Sequence, residues 1–323
     1  MTFKTPVCDL LGIDVPIFSA GMAGGTAGPP LAAAVSGAGG LGGLGGIDST
    51  GPEGLRTRIR ETRELTSRPF SVNLWCYLLL VAPAFLEVCL EERVPSITLS
   101  FGDPTPFVAR AKAVGARVFY QAQTVAGARA GVAAGVDVLI AQGGEAGGHT
   151  GTIATMALVP QVVDIAAGIP VLAAGGIADG RGLVAALALG AQGVVMGTRF
   201  VAAEEATPHA DQHRERILAA TADDTVYTDV FDIVDGLRWP AGISGRSIRT
   251  PFSDEWHGRE PELQSARESI RAQSARPGEA PPSAHSAYAG QSSGLIREVK
   301  PAAAIVRDIM AEAELVLSRL PRP

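Results

Sequence analysis

The sequence predicts an α/β protein, a (β/α)8 barrel with a smaller inserted cap segment before its C-terminal helix. Between about residues 16 and 200, short apolar β-branched runs alternate with longer Ala-rich amphipathic stretches, and Gly, Pro or Asp separates them. This alternation is typical of repeated βα units around a parallel sheet. The runs are eight in number, as in a closed barrel, whereas a doubly wound sheet usually has about five to seven strands.

The predicted elements follow one another along the first 200 residues. The predicted strands are Pro16–Ser19, Gly40–Leu44, Phe70–Leu74, Ser96–Ser100, Arg117–Tyr120, Asp137–Ala141, Pro170–Ala173 and Gly193–Met196. The predicted helices are Pro29–Ser36, Pro52–Leu65, Pro83–Glu92, Pro104–Val114, Thr124–Ala134, Leu158–Ala167 and Asp179–Leu189. Several of these helices begin with Pro in the first turn or with a Thr or Asp cap, which supports their placement.

The pattern changes after Phe200 and divides the chain into three segments. Residues 1–200 form the predicted barrel core. Residues 201–290 contain an acidic helix-like stretch, mixed sequence and the polar run SARPGEAPPSAHSAYAGQSSG, and we expect a helical or irregular cap with a connector there. Residues 291–323 complete the barrel, because Pro301–Leu320 has the apolar spacing of an eighth helix.

Composition excludes several classes of protein. The chain has 323 residues and a net charge of −6, and its three lysines are far apart, so we expect no nucleic-acid partner. No apolar run is long enough to span a membrane and the N-terminus lacks a signal-peptide core, so we expect a cytoplasmic protein. Cys8, Cys76 and Cys89 are odd in number and form no CxxC, so we predict neither a disulfide nor a metal site.

Two glycine turns follow the last two predicted strands. Gly175 and Gly176 lie in LAAGGIADGRG, and Gly197 and Thr198 lie in GVVMGTRF. Backbone N–H groups at these strand ends could point to one anion, in the position where barrels often bind phosphate. The alternative is that these glycines only form tight turns. We expect a phosphorylated ligand or cofactor.

The loop AQGGEAGGHTG, residues 141–151, follows the sixth predicted strand. Its five glycines would be costly in a simple connection, which favours close approach of the backbone to a ligand. His149 is the histidine at the predicted rim, and imidazole is the side chain that exchanges protons near neutral pH, so we predict it as a proton acceptor. Glu145 is expected to make a structural hydrogen bond or ion pair. A surface loop without a role is the alternative.

Taken together, these motifs resemble the nitronate monooxygenase family, whose members are FMN-dependent (β/α)8 barrels. The segments that carry the resemblance are PIFSAGMAGGTAGPPLAAAVSGAGGLGGLG, SVNLW, AQGGEAGGHTG, VLAAGGIADGRGLVAALALGAQGVVMGTRF, PAGISGRSIRTPFSDEWHGREPEL and YAGQSSGLI. The sequence departs from the family pattern at Ser19–Gly21, at Cys76–Tyr77 and at Thr150. The second departure lies near the expected substrate pocket.

The resemblance implies a cofactor, a reaction and a set of site residues. FMN would be bound by Met22, Ala23, Asn73, Gln142, Gly147, Gly148, Gly175, Gly176, Met196, Gly197 and Thr198, the last five at its phosphate. His149 would be the catalytic base that removes the α-proton of a nitroalkane and positions the nitronate over the flavin. Reaction with O2 would then give a carbonyl compound and nitrite. The implied partners are therefore a nitronate or nitroalkane and O2.

Three alternatives stay open from the sequence. Related flavin barrels act as NAD(P)H-dependent reductases of enoyl-acyl-carrier-protein or quinone substrates. A flavin-free barrel could bind a phosphorylated ligand as a lyase or isomerase. A catalytically silent ligand-binding barrel is the third alternative. The oligomeric state is also open, with a homodimer as one candidate.

Overall fold

Eight parallel strands close into a barrel in the computed structural model of the chain, which describes residues 3–207, 211–274 and 282–320. The chain has the following strands: β1 (Ile17–Ser19), β2 (Gly42–Gly45), β3 (Phe70–Trp75), β4 (Ser96–Ser100), β5 (Arg117–Ala122), β6 (Val138–Gln142), β7 (Gly148–Thr150), β8 (Val171–Ala174), β9 (Gly193–Met196), β10 (Thr225–Thr228), β11 (Ser244–Ile248) and β12 (Ala287–Tyr288). The barrel order is β1-β9-β8-β6-β5-β4-β3-β2, and a parallel bridge between Phe18 and Leu41 closes it.

Helices cover the outside of this barrel and contribute to the cap. They are α1 (Pro6–Leu11), α2 (Pro29–Gly37), α3 (Gly51–Leu65), α4 (Cys76–Leu79), α5 (Ala84–Glu91), α6 (Thr105–Ala113), α7 (Val125–Ala134), α8 (Thr155–Ile165), α9 (Gly180–Ala188), α10 (Thr198–Val201), α11 (Asp211–Ala219), α12 (Val230–Asp235), α13 (Pro251–Trp256), α14 (Glu260–Ser274) and α15 (Ala302–Arg319). Within the described ranges, no helix is both long and apolar enough to cross a bilayer.

The barrel prediction is confirmed, and the element boundaries agree closely. All eight predicted strands are present, with ends that differ by at most two residues. Helix α8 begins three residues before its predicted start because the Glu145 carboxylate accepts hydrogen bonds from Thr155 N, at 2.9 and 3.0 Å, and from Thr155 Oγ1 at 2.8 Å. The expected structural hydrogen bond of Glu145 is thereby confirmed. A side-chain acceptor at this end satisfies a backbone donor that the helix cannot.

Helix α1 closes the N-terminal end of the barrel. Its buried Val7 and Cys8 cluster with Phe18, Phe119 and other side chains of the barrel interior. The opposite end, where the strands finish, is open to the cavity described below. Apolar packing therefore closes one end of the barrel. The other end, at the carboxyl ends of the strands, is where barrels of this kind have their functional sites.

The segment between β9 and α15 forms a cap over the open end. It was expected to be helical or irregular, and it also contains the antiparallel strands β10, β11 and β12. The sheet has a fourth strand, β7, which comes from the loop after β6 and pairs with β11. Helices α12 and α14 pack together around Phe231 and Leu263, which gives the cap a small core of its own. Helix α15 then packs on α9 and α2, in the place of an eighth barrel helix.

Candidate active site

A cavity of about 610 Å³ lies at the carboxyl ends of the barrel strands, under the cap. Every site residue predicted from the sequence lines it: Met22, Ala23, Asn73, Gln142, Gly147, Gly148, His149, Gly175, Gly176, Met196, Gly197 and Thr198. Residues from the cap line it as well. The structure therefore brings the predicted residues together, and their individual roles stay predictions.

Glycine is required at one end of the cavity by the backbone itself. Gly175 and Gly176 follow β8 with φ of +102° and +73°, in the left-handed region that favours glycine. Gly148 has φ of +75°, and a Cβ there would meet no atom within 4 Å, so this side of the residue faces open space. Nearby, Thr198 Oγ1 accepts a hydrogen bond from Gly290 N at 3.0 Å, which ties the rim to the last part of the cap.

The loop after β1 forms one wall of the cavity. A Cβ at Gly21 would lie 2.6 Å from the Cβ of Asn73, so glycine lets this loop lie against β3. Asn73 is buried, and its Nδ2 donates to Ser100 Oγ at 2.8 Å, which leaves its carbonyl oxygen for another partner. The Met22 sulfur lies 3.7 Å from the position that a Cβ of Gly197 would take, so the loop after β1 meets the end of β9 here.

Gln142 ends β6 and organises the floor of the cavity. Its Oε1 accepts hydrogen bonds from Gln121 Nε2 at 3.0 Å and Gln123 Nε2 at 2.8 Å. Its Nε2 donates to the carbonyl oxygen of His149 at 3.3 Å. An amide nitrogen carries two hydrogens, so one N–H of Gln142 is left for a ligand.

His149 lies on β7, where the barrel and the cap meet. Its Nε2 is 2.9 and 3.1 Å from the two carboxylate oxygens of Asp232, on α12. The Trp239 ring stacks on the imidazole, with centroids 3.6 Å apart and planes 17° apart. Trp239 Nε1 also donates to Asp232 Oδ1 at 3.0 Å. The imidazole is therefore fixed by a carboxylate at one edge and by an indole on one face.

Aromatic rings extend from Trp239 toward the ends of β3 and β4. The Trp239 ring centroid lies 5.1 Å from that of Trp75, 5.3 Å from Tyr77 and 5.0 Å from Phe101. Phe101 has φ of +59°, a conformation that costs a non-glycine residue free energy and often occurs at functional sites. We call Trp75, Tyr77, Phe101 and Trp239 the aromatic wall. Trp75, Phe101 and Trp239 line the cavity and make the part of it next to His149 apolar, and Tyr77 stacks on Trp75 behind them.

Charges around the cavity are few and mostly acidic. The described lining residues include Asp232, Asp235 and His213, and no Lys or Arg. Burial lowers the pKa of His213, and the Arg216 charge lowers it further. Burial raises the pKa of the Tyr288 phenol well above its ordinary value, with a further contribution from the Asp232 charge. Tyr288 is thus a neutral hydroxyl beside the imidazole, with ring centroids 5.3 Å apart.

Sequence reasoning did not find Asp232, Trp239 or Tyr288. Asp232 comes 83 residues after His149 in the chain, and the two side chains meet because the cap folds over the barrel. A local signal exists, since VFDIVDGLRWP places an acidic residue inside an apolar turn of helix and a Trp three residues after a glycine. That signal alone does not indicate which barrel residue the carboxylate contacts.

Comparison with known proteins identifies a family model and several relatives that match most of the chain. The family model for nitronate monooxygenase matches residues 4–85 and 81–312. A (3aS,4S,5R,7aS)-5-hydroxy-7a-methyl-1-oxo-octahydro-1H-indene-4-carboxyl-CoA dehydrogenase of Mycobacterium tuberculosis is 41% identical over 79% of this chain and 69% of its own length. A nitronate monooxygenase of Paraburkholderia phytofirmans is 34% identical over 99% of this chain and 98% of its own.

Two solved structures share the fold over nearly the whole chain. FabK from Thermotoga maritima has a TM-score of 0.86 and 40% identity, covering 98% of both chains. A nitroalkane oxidase from Streptomyces ansochromogenes has a TM-score of 0.80 and 32% identity, covering 98% of this chain and 99% of its own. The similarity therefore includes the barrel and the cap together.

Proposed function

Because the chain belongs to the nitronate monooxygenase family, we propose that it binds FMN in the cavity and oxidises nitronates and nitroalkanes with O2. The chain is a flavin-dependent oxidoreductase of that family. The products proposed are a carbonyl compound and nitrite. The similarity to the nitroalkane oxidase supports this choice of substrate.

The residues around the cavity suit a flavin mononucleotide. The phosphate would be held by Gly175, Gly176, Met196, Gly197 and Thr198, because these residues line the cavity at the ends of β8 and β9, where backbone N–H groups could point to one anion. The free carbonyl oxygen of Asn73 and the free N–H of Gln142 would bind the polar edge of the ring. Met22, Ala23, Gly147 and Gly148 would lie beside the ring. When bound, FMN accepts the electrons that the substrate loses and passes them to O2.

His149 would act on the neutral nitroalkane. The proton on the carbon next to the nitro group is acidic enough for an imidazole to remove, and the resulting nitronate carries its charge on the nitro oxygens. After taking this proton, His149 would hold the nitronate through its protonated ring, while the aromatic wall excludes water from the alkyl group. A nitronate supplied as such needs no proton removal.

The observation that carries this proposal is the pairing of His149 with a buried carboxylate next to an apolar wall. Asp232 keeps 6% of its side chain exposed and His149 10%, so the pair is nearly dry and close to the space for a small alkyl group. Such an arrangement is suited to moving a proton on a small uncharged substrate.

A flavin-dependent NAD(P)H reductase is the second candidate, and the similarity to FabK favours it. Nicotinamide dinucleotides carry a diphosphate, and basic side chains commonly bind such charges. The described lining residues include no Lys or Arg. The same lining would also hold the FMN phosphate, so this observation applies to both candidates, and the reductant that bleaches the flavin decides between them.

The proposal is tested by the absorption spectrum of the FMN-loaded protein under anaerobic conditions. We expect bleaching of the flavin band on addition of ethyl nitronate, and no rapid bleaching on addition of NADH or NADPH. Rapid bleaching by a nicotinamide alone would replace the proposal with the reductase. A protein that takes up no FMN would instead support a phosphate-binding barrel without redox chemistry.

A further inference from the structure

We propose that Asp232 is a positioning residue, which holds His149 with its Nε2–H directed at the carboxylate and so leaves Nδ1 as the atom that removes the substrate proton. This inference rests on the proposed function. It adds a residue from the cap to a site otherwise built from barrel loops.

The geometry assigns the two imidazole nitrogens different tasks. Both Asp232 oxygens lie within 3.1 Å of Nε2, and Oδ1 is also held by Trp239 Nε1 at 3.0 Å. Nδ1 has no hydrogen-bond partner among the residues that the structure describes. The ring lines the cavity, so its unpaired nitrogen is the one left for a ligand.

Hydrogen-bonding capacity determines the tautomer. An ionised carboxylate only accepts hydrogen bonds, so a neutral imidazole next to it carries its hydrogen on Nε2. The lone pair is then on Nδ1. The same logic applies where a buried aspartate holds the histidine of a catalytic triad in its working tautomer.

The proton step balances within these groups. The C–H bond next to the nitro group breaks, its electron pair stays on the substrate as the nitronate, and the proton goes to Nδ1 of His149. The imidazolium that forms is stabilised by the negative carboxylate 2.9 Å from Nε2. Trp239 holds both partners, because its ring stacks on the imidazole and its N–H binds Asp232.

A neighbouring glycine and the packing of α12 keep this arrangement rigid. Gly245 is opposite His149 in the β7–β11 pair, and a Cβ there would lie 2.7 Å from the Tyr288 ring and 3.6 Å from His149 Nε2. A glycine at this position therefore leaves room for both rings. The carboxylate comes from a short helix whose other faces are packed in the cap core.

The test is Asp232→Asn in the FMN-loaded protein, measured with nitroethane and with ethyl nitronate. An asparagine can offer its amide N–H to Nε2, which would force the hydrogen onto Nδ1 and remove the base. We expect kcat/KM for nitroethane to fall by roughly 100- to 10,000-fold and that for ethyl nitronate to fall much less, because only nitroethane needs the proton to be removed. Asp232→Glu should restore part of the nitroethane activity, and Asp229→Asn, an exposed residue just before the same helix, should change neither.

A second measurement does not depend on turnover. Nitrogen NMR of the FMN-loaded protein, with the His149 signals assigned by their loss in His149→Gln, reports which ring nitrogen carries the hydrogen. We expect Nε2–H in the wild type and Nδ1–H in Asp232→Asn. Equal loss of nitroethane and nitronate activity in Asp232→Asn, or an Nδ1–H signal in the wild type, would overturn the inference. Failure of the wild type with both substrates, with Nε2–H retained, would overturn the proposed function and leave the tautomer assignment intact.

Discussion

Replacing Gly147 with alanine distinguishes two explanations of why this position requires a glycine. The family resemblance implies that Gly147 lets the backbone approach FMN. In the structure, a Cβ there would lie 2.5 Å from the carbonyl carbon of Ala289 and 2.5 Å from Gly290 N. Gly147 thus lets residues 289–290 approach the loop that carries His149. The two explanations predict different behaviour of the flavin-free protein.

The expected cost follows from the size of the overlap. Ordinary contact begins near 3.4 Å, so residues 289–290 would have to move by about 1 Å. Ala289 is fully buried, and the displaced Gly290 N donates to Thr198 Oγ1. Overpacking of this kind costs about 1–3 kcal/mol and a weakened hydrogen bond about 1 kcal/mol more. We expect a total of about 2–4 kcal/mol.

The assay is thermal unfolding of the flavin-free protein. Unfolding entropy of about 2.1 cal/mol/K per residue converts this cost into a decrease in Tm of about 3–6 °C for a chain of this length. Gly37→Ala is the matched control, since a Cβ there would meet no atom within 4 Å and alanine suits the end of α2. An unchanged Tm for flavin-free Gly147→Ala, together with weaker FMN binding, would refute the packing explanation.

Two further predictions concern ionisable side chains of the barrel. Hydrogen bonds from Arg60 and Arg56 lower the pKa of Glu92, so its contribution to stability is present at neutral pH and is lost as the pH falls through the lowered pKa. Glu92→Gln should therefore reduce stability by about 1 kcal/mol at pH 7 in urea unfolding, and the difference from wild type should shrink as the pH falls into the acid range below the ordinary pKa of a glutamate. A constant difference across that range would contradict the assignment. Burial raises the pKa of the Cys76 thiol to about 12 and also raises that of Cys89. We therefore expect the native protein to react slowly with a disulfide reagent at pH 8 and the urea-unfolded protein to react at three thiols; rapid labelling of Cys76 in the native protein would contradict this prediction.

The barrel was predictable from the sequence because its signals are local. Apolar β-branched runs mark each strand, and caps such as Asp179, which accepts hydrogen bonds from Arg181 N and Gly182 N, mark helix starts. Boundaries were less predictable where a distant side chain decides them, as Glu145 does for α8. The cavity residues were also predictable, because the residues that follow each strand of a barrel lie together at one rim.

The cap was harder to predict because its strands are short and polar. β10 reads TVYT and β11 reads SGRSI, so neither shows a clear alternation of apolar and polar residues. β7 is three residues long within a glycine-rich loop, and only its pairing with β11 makes it a strand. Asp232 and Trp239 reach His149 through these long-range pairings, which no local pattern encodes.

The pairing of β7 with β11 has a consequence for engineering this protein. The strand that carries His149 belongs by sequence to the barrel and by hydrogen bonding to the cap. A cap transplanted from a relative would bring its own version of β11 and its own carboxylate, and would thereby re-aim the histidine as well as reshape the substrate space. Grafts that keep β7, β11 and α12 as one unit should preserve the chemistry, whereas grafts that cut between β7 and β11 keep His149 but replace the strand and the carboxylate that hold it.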